Sequence, residues 1–316
     1  MRTEPRLVPE MLVFAKVVEL RSFAAAARQL ELTTSAVSRS VGRLEAHWGV
    51  QLLHRTTRSL SLTELGAEVY AACQHLAHTA SGIHAIAGHY SGVPRGTVRL
   101  TAPTVFGDIW LTAQLPALRE QWPQLELAIS LTDQMQDLVQ QGLDLAIRIT
   151  RPEQLPPNLV ARALRPVRYI AVASPRYLHE LPQLPTHPQA LGPAHGVRCI
   201  TLGYGEFQNR LQWARSPSGS DTAAEQVEVA VYTPLCVDSS TALVHLALQH
   251  QGIGLVADFA ARAALDSGAL VQVLPDWELT GHYAPRTAYA LYMPSRHLPL
   301  KVRALIDHLV EAGKKG

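Results

Sequence analysis

Cysteine is scarce in this sequence: Cys73, Cys199 and Cys236 are the only three among 316 residues. They stand far apart and form no Cys-x-x-Cys pair. That excludes a disulfide framework and a closely spaced zinc site, and it fits a reducing compartment. Long apolar runs are missing, so no membrane span is expected. Met1 to Glu10 has no apolar core, and no signal peptide is expected. Charge of one sign is missing too. Lys and Arg number 28 against 26 Asp and Glu, a formal net charge of +2, so the chain as a whole is not a basic nucleic-acid binder. Catalytic signatures are also absent. No Gly-x-Ser-x-Gly, His-Glu-x-x-His, phosphate-binding loop or paired-carboxylate pattern accompanies Cys199, Cys236, Asp238-Ser239-Ser240 or the 14 histidines.

What remains is an ordinary globular composition, 47% hydrophobic and 17% charged, in a chain long enough for two or three compact units. The charge is unevenly placed. Residues 1–90 hold nine Lys and Arg against seven Asp and Glu, while residues 91–316 hold nineteen of each. Thr33 to Leu60 alone contributes four arginines and one glutamate. The electrostatic footprint is therefore local.

That local excess sits in the most informative stretch, Ser22 to Thr63. Ser22 is a good N-cap for a short helix through Leu30, whose Phe23, Ala26, Ala27 and Leu30 share one face. After Glu31-Leu32, Thr33 or Thr34 caps a second helix to about His47, with Val37, Val41 and Leu44 as its inner stripe. At about 100° per residue, Ser35, Ser38, Arg39 and Gly42 face the other way, with Arg43 on the flank. Hydroxyls and guanidinium groups suit phosphates and base edges in a major groove, and Gly42 permits close approach. Val50 to Leu53 followed by His54-Arg55-Thr56-Thr57-Arg58 reads as a wing with a basic tip. A plain pair of helices with a solvated polar face would satisfy the same spacing; the basic wing favours DNA.

The run from Met11 to Ala67 resembles the winged helix-turn-helix of LysR-type transcriptional regulators. The matching residues include Phe14, Val17-Val18-Glu19, Ser22 to Ala26, Ser35 to Arg39, Leu44-Glu45, Gly49-Val50, Leu52-Leu53, Arg55, Arg58 and Leu62 to Gly66. Thr34 stands where many members carry glutamine. Thr33-Thr34-Ser35 and the Arg-Thr-Thr-Arg wing resemble one large subgroup. Trp48 replaces a usual leucine and is expected to fill the core. The resemblance implies DNA-contacting roles for Ser22, Thr33, Thr34, Ser35, Ser38, Arg39, Arg43, Arg55, Thr56 and Arg58.

Thr63 reads as the N-cap of a helix to about Gly88. Leu65, Val69, Ala72, Leu76, Ala80, Ile83 and Ala87 alternate steps of four and three, a coiled-coil seam. Either this helix pairs with a second copy and spaces two DNA-reading heads, or it is a core helix. His75, His78, His84 and His89 lack a carboxylate or cysteine beside them, so no metal is expected. The break Gly88 to Gly96 is the hinge.

Beyond the hinge, strands and helices alternate, which implies a parallel sheet. Strands are expected at Thr97–Ala102, Leu125–Leu131 and Leu143–Ile149, and helices to Trp122 and from Asp133 to Gln141. This half resembles the family's periplasmic-binding-protein-like effector domain through Arg99 to Pro103, Trp122-Pro123, Asp137 to Val139, Gly142 to Arg148, Ala173 to Pro175 and Gly252 to Gly254. Ligands gather beyond carboxyl ends of strands, so the candidate effector residues are Pro103, Thr104, Phe106, Thr132, Arg148, Tyr204, Ser239 and Ser240. Each hydroxyl is also a plausible helix cap, and Arg148 has Asp144 as an alternative partner.

The fold expected is multidomain: an all-α winged helix-turn-helix domain (1–66), a linker and dimerisation helix (63–90), and an α/β effector domain of two subdomains (91–316). Subdomain I takes about 97–164 and 274–312, and subdomain II about 165–273. The function expected is a cytoplasmic transcription regulator without a cofactor. Its partners are double-stranded promoter DNA, a small organic effector and further copies of itself, as a dimer through the linker helix and then a tetramer. An enzyme, an exported solute-binding protein and a DNA binder with an unresponsive cleft are the alternatives.

Overall fold

The structure, a computed structural model, describes residues 5–55, 60–88, 92–203, 209–215, 225–295 and 297–314. The N-terminal head begins with α1 (Val8–Leu20), α2 (Phe23–Gln29) and α3 (Thr34–Trp48). The Ser22 hydroxyl accepts from Ala25 N at 3.2 Å and opens α2; Thr33 does the same for α3 through Ala36 N at 3.2 Å. Gly49, at φ +66°, ends α3 in the left-handed region. The inner stripe is as the periodicity predicts: Val37, Val41 and Leu44 are fully buried against Phe14, Val17, Ala26 and Ala27. Each such side chain contributes about 1.5–3 kcal/mol.

The wing is a hairpin of β1 (Leu53–Arg55) and β2 (Leu60–Leu62), paired antiparallel. The head is therefore mainly, not wholly, α-helical. Glu45 Oε1 accepts from Leu52 N at 2.9 Å and Leu53 N at 3.3 Å, which fixes the wing to α3. Trp48 does not fill the core; it is 36% exposed. It occupies the last position of α3, one turn past Leu44 and next to the Gly49 that ends the helix.

Helix α4 (Glu64–Gly88) follows, its Thr63 cap accepting from Gly66 N at 2.9 Å. Gly66 is required here, because a Cβ would lie 2.0 Å from the Leu52 carbonyl oxygen. Val69, Tyr70 and Cys73 pack on the head, whereas Leu65 and Ala72 of the expected seam are exposed. Side chains of His75, His78, Ile83, His84 and Ala87, and all of His89, lie outside the described residues.

The C-terminal half forms two lobes. The chain enters lobe I through β3 (Gly96–Ala102), α5 (Thr104–Phe106), a wide π-turn at Gly107–Leu111, α6 (Thr112–Gln121), β4 (Leu125–Leu131), β5 (Leu145–Thr150) and β6 (Val160–Val167). It then builds lobe II from β7 (Tyr169–Ala173), α7 (Pro175–His179), β8 (Arg198–Leu202), β9 (Arg210–Arg215), β10 (Glu225–Ala230), β11 (Tyr232–Val237), α8 (Ser240–Leu248), β12 (Ile253–Ala257), α9 (Asp258–Asp266), β13 (Val271–Val273) and β14 (Glu278–Thr280). Finally β15 (Arg286–Tyr292) and α10 (Leu300–Lys314) return to lobe I.

Lobe I has the strand order β4-β3-β5-β15-β6, with β4, β3 and β5 parallel and β15 antiparallel to both neighbours. The expected parallel run is present, inside a mixed sheet. Lobe II has the order β11-β8-β12-β7-β13, backed by a three-stranded sheet β10-β9-β14. Because β14 pairs with β9, the return to lobe I falls after Thr280 and not near residue 274.

The helix expected over Asp133 to Gln141 is absent. Asp133 Oδ1 accepts from Thr104 N at 3.3 Å instead of capping its own segment. Asp137 Oδ1 organises a turn there through Val139 N and Gln140 N, at 2.8 and 3.0 Å. At the crossing between lobes, Asp258 Oδ2 lies 3.4 Å from the buried Arg165 and Oδ1 accepts from Arg168 N at 3.3 Å. Among the described residues, no helix is long and apolar enough to cross a membrane, and no cluster has a metal-binding set of side chains.

Candidate functional site

The outward face of α3 is built by its cap and its pattern. Thr34, Ser35 and Arg39 are exposed and Ser38 is half-buried. The first turn holds no acidic residue to offset the positive end of the helix dipole, a favourable place for phosphate. The Thr33 hydroxyl is 3.1 Å from Ser35 Oγ, which orders both at that end. Arg39 has no ion-pair partner among the described residues, while a Cβ at Gly42 would meet nothing within 4 Å. The face is cationic, hydroxyl-rich and open at its middle.

Arg43 behaves differently. Its Nη2 and Nε lie 2.9 and 3.1 Å from Glu10 Oε1 of α1, and Nη2 also reaches Ser40 Oγ at 3.1 Å. That arginine braces α3 against α1. Ser40, buried beside it, was not singled out by the helical pattern, since a serine between two apolar positions carries no hydrophobic signal. Arg55 sits on β1; its side chain, and the whole of Thr56 and Arg58, lie outside the described residues.

A second junction links the head to lobe I. Arg99 Nη2 on β3 lies 2.5 Å from Glu19 Oε1, whose other oxygen takes Lys16 Nζ at 2.7 Å. Burial raises the Glu19 carboxyl, but the hydrogen bonds from Lys16 and Arg99 outweigh it and hold the group below its ordinary range. Residues 80 positions apart share this contact, so no local pattern announces it.

The interlobe residues fall into three groups. Thr104 and Thr132 follow β3 and β4, half-buried at the carboxyl ends of neighbouring parallel strands. Thr132 N donates to Ala102 O at 2.9 Å, and its hydroxyl accepts from Gln134 N at 3.2 Å. The loop holds Arg148 as well: Nη2 donates to Gln134 O at 3.0 Å and Nη1 to Ile147 O at 2.8 Å. Burial pulls the Arg148 guanidinium down, and the nearby Asp133 carboxylate opposes that. Asp144, the other partner considered, is engaged elsewhere, with Arg99 N at 2.8 Å and Lys301 Nζ at 3.5 Å.

In lobe II, Ser239 is the N-cap position of α8 but its side chain makes no capping bond. Ser240 opens α8 and is 8% exposed, and its hydroxyl makes no hydrogen bond to a described residue. Pro103 precedes α5 and is half-buried. Phe106 is corrected: it is fully buried, 4.8 Å from the Trp110 ring and edge-on to Phe259 at 5.3 Å. One residue past Val105, the turn of α5 rotates the ring into the core between the lobes, so it forms no cleft wall. Tyr204 lies outside the described residues.

Residues 9–67 match the family described as bacterial regulatory helix-turn-helix protein, lysR family. Residues 91–314 match the LysR substrate binding domain. The chain is 34% identical over 305 residues to the probable HTH-type transcriptional regulator LtrA of Klebsiella pneumoniae, covering 96% of this chain and 94% of that protein. It is 32% identical over 299 residues to the HTH-type transcriptional regulator PtxR of Pseudomonas aeruginosa, covering 94% and 90%. Among solved structures it is similar to CrgA, a LysR-type transcriptional regulator from Neisseria meningitidis, at 28% identity and a TM-score of 0.58, covering 98% of this chain and 99% of that one.

Proposed function

Since this chain belongs to the lysR family, and is thus a transcriptional regulator with a DNA-binding head and an effector-binding domain and not an enzyme, we propose that α3 reads promoter DNA in the major groove. The single observation that carries this is the outward face of α3, where exposed Thr34, Ser35 and Arg39 surround the open Gly42 with no acid in the first turn. Ser38 and Arg39 reach base edges and phosphates; Ser22, Thr33 and the wing residues Arg55, Thr56 and Arg58 hold the backbone. Arg43 acts first as a brace. Thr33-Thr34-Ser35 with the Arg-Thr-Thr-Arg wing supports a place in one subgroup of the family.

The working unit is a cytoplasmic dimer through residues 63–90, assembled into a tetramer through residues 91–316, so that two heads (residues 1–66) reach paired half-sites. The exposed Leu65 and Ala72 favour this over a core role for α4. A small organic effector sits between the lobes, against Pro103, Thr104, Thr132, Arg148, Ser239, Ser240 and Tyr204. It shifts the balance of two quaternary arrangements only as far as it binds one better.

The test is footprinting upstream of the chain's own coding region, with and without organic acids and aromatics. Arg39→Ala loses site-specific protection while the oligomer is retained, and undiminished protection sinks the placement of α3. Arg148→Ala keeps protection but blunts the response to the effector; a full response removes Arg148 from the cleft.

A further inference from the structure

Helices α6 and α10 pack against each other on lobe I. Between them lies a slot of about 630 Å³, within the roughly 300–1,000 Å³ of small-molecule sites. Small residues line both walls and leave it open. Ala117 of α6 is exposed and Ala304 of α10 is half-buried, where larger side chains would fill the space. Trp122, half-buried just past the end of α6, supplies a flat apolar surface. Gly92 and Pro94, on the segment that enters lobe I from α4, line the slot too. Its polar groups are mostly acceptors. Asp307 and Glu311 stand one turn apart on α10. Each already has a cation on the same helix, Arg303 at 3.6 Å and Lys314 at 2.5 Å, but both pairs are solvent-exposed, and such pairs hold a carboxylate only weakly. His308 Nε2 lies 3.1 Å from Gln114 O. That nitrogen therefore carries the proton, which leaves Nδ1 an acceptor in the neutral ring.

We infer that this slot binds a small aromatic compound bearing an ammonium group. The ring lies against Trp122, and the ammonium, with three donors and a positive charge, meets Asp307 and Glu311. Among the residues that line the slot, two carboxylates stand against one guanidinium, so an anion is disfavoured. Occupancy restrains Gly92 and Pro94 as well, and so bears on how α4 joins lobe I. No residue here is shared with the interlobe cleft, and this site stands or falls separately from that one.

The experiment uses the full chain with fluorine-labelled tryptophan. It has five tryptophans, and Trp122→Phe identifies the resonance that reports on the slot. The chain is titrated with 2-phenylethylamine and, separately, with 2-phenylethanol and phenylacetate. The amine shifts the Trp122 signal. The alcohol, the same body without the charge, binds at least about threefold more weakly, and phenylacetate leaves the signal where it was. Asp307→Asn weakens the amine about threefold. Ala117→Phe fills the slot and abolishes the shift, with thermal unfolding unchanged because Ala117 is exposed. Arg148→Ala, in the interlobe cleft, leaves the shift intact. The proposal is overturned if the amine does not move the Trp122 signal at about 10 mM, if the alcohol or phenylacetate equals the amine, or if Ala117→Phe binds as the parent does.

Discussion

Replacing Gly42 by alanine sets stability and DNA affinity moving in opposite directions. The added methyl meets nothing within 4 Å in the free protein, so no strain opposes it. Glycine inside a helix costs roughly 0.5–1 kcal/mol relative to alanine, and α3 gains about that amount. Amide exchange in the middle of α3 then slows about two- to fivefold if it proceeds by local opening. On the outward side the methyl stands one turn after Ser38 and Arg39, where a duplex seated on this face comes nearest the backbone. Intruding on a close-packed contact costs about 1–3 kcal/mol, so promoter affinity drops at least about fivefold. Exchange measured by mass spectrometry and anisotropy with a labelled promoter duplex give the two numbers. Slower exchange with unchanged affinity refutes the seating of DNA on this face, and faster exchange refutes the open space.

Gly66→Ala does the reverse at the wing joint. Its Cβ would press on the Leu52 carbonyl, a backbone atom already bonded to Thr63 N at 3.0 Å, so the melting temperature falls by the equivalent of at least about 1–3 kcal/mol; an unchanged melt contradicts that geometry. Arg99→Glu loosens the head from lobe I. An exposed pair contributes about 0.2–1 kcal/mol, so small-angle scattering shows a modest expansion that a Glu19→Arg partner substitution reverses; identical curves for the single and double variants remove the pair from head docking. Stability also falls in alkali. Burial pushes the Cys199 thiol from its ordinary 9.0 up to about 12, so above pH 9 the unfolded chain gives up a proton that the native one keeps. Urea midpoints decline as pH rises from 9 toward 12, and Cys199→Ala flattens the slope; a slope that persists unaltered assigns the effect elsewhere.

What could be read in advance was local. The caps Ser22, Thr33 and Thr63 and the stripe Val37-Val41-Leu44 depend only on helical period and on hydroxyls one turn from the amides they serve. The family resemblance carried the larger architecture. What escaped depends on approach between distant parts of the chain. Asp133 has the look of a cap for its own segment until Thr104 N arrives from 29 residues away. Arg43 has the look of a free phosphate contact until Glu10 of α1 meets it. Phe106 follows a strand like a cleft residue, yet Trp110 and Phe259 claim its ring. Strands β9, β11, β13 and β14 are short or polar on one side, and only their partners make them strands.

The position of β15 governs the order in which the two lobes can be completed. It fills the gap between β5 and β6, yet it is synthesised after all of lobe II. On the ribosome, the DNA-reading head is finished early, while the first lobe waits with two unpaired central edges. Control therefore comes last: a nascent chain carries a reader long before it carries a complete sensor, and any truncation ahead of Arg286 leaves the reader with a sensor that cannot close its own sheet.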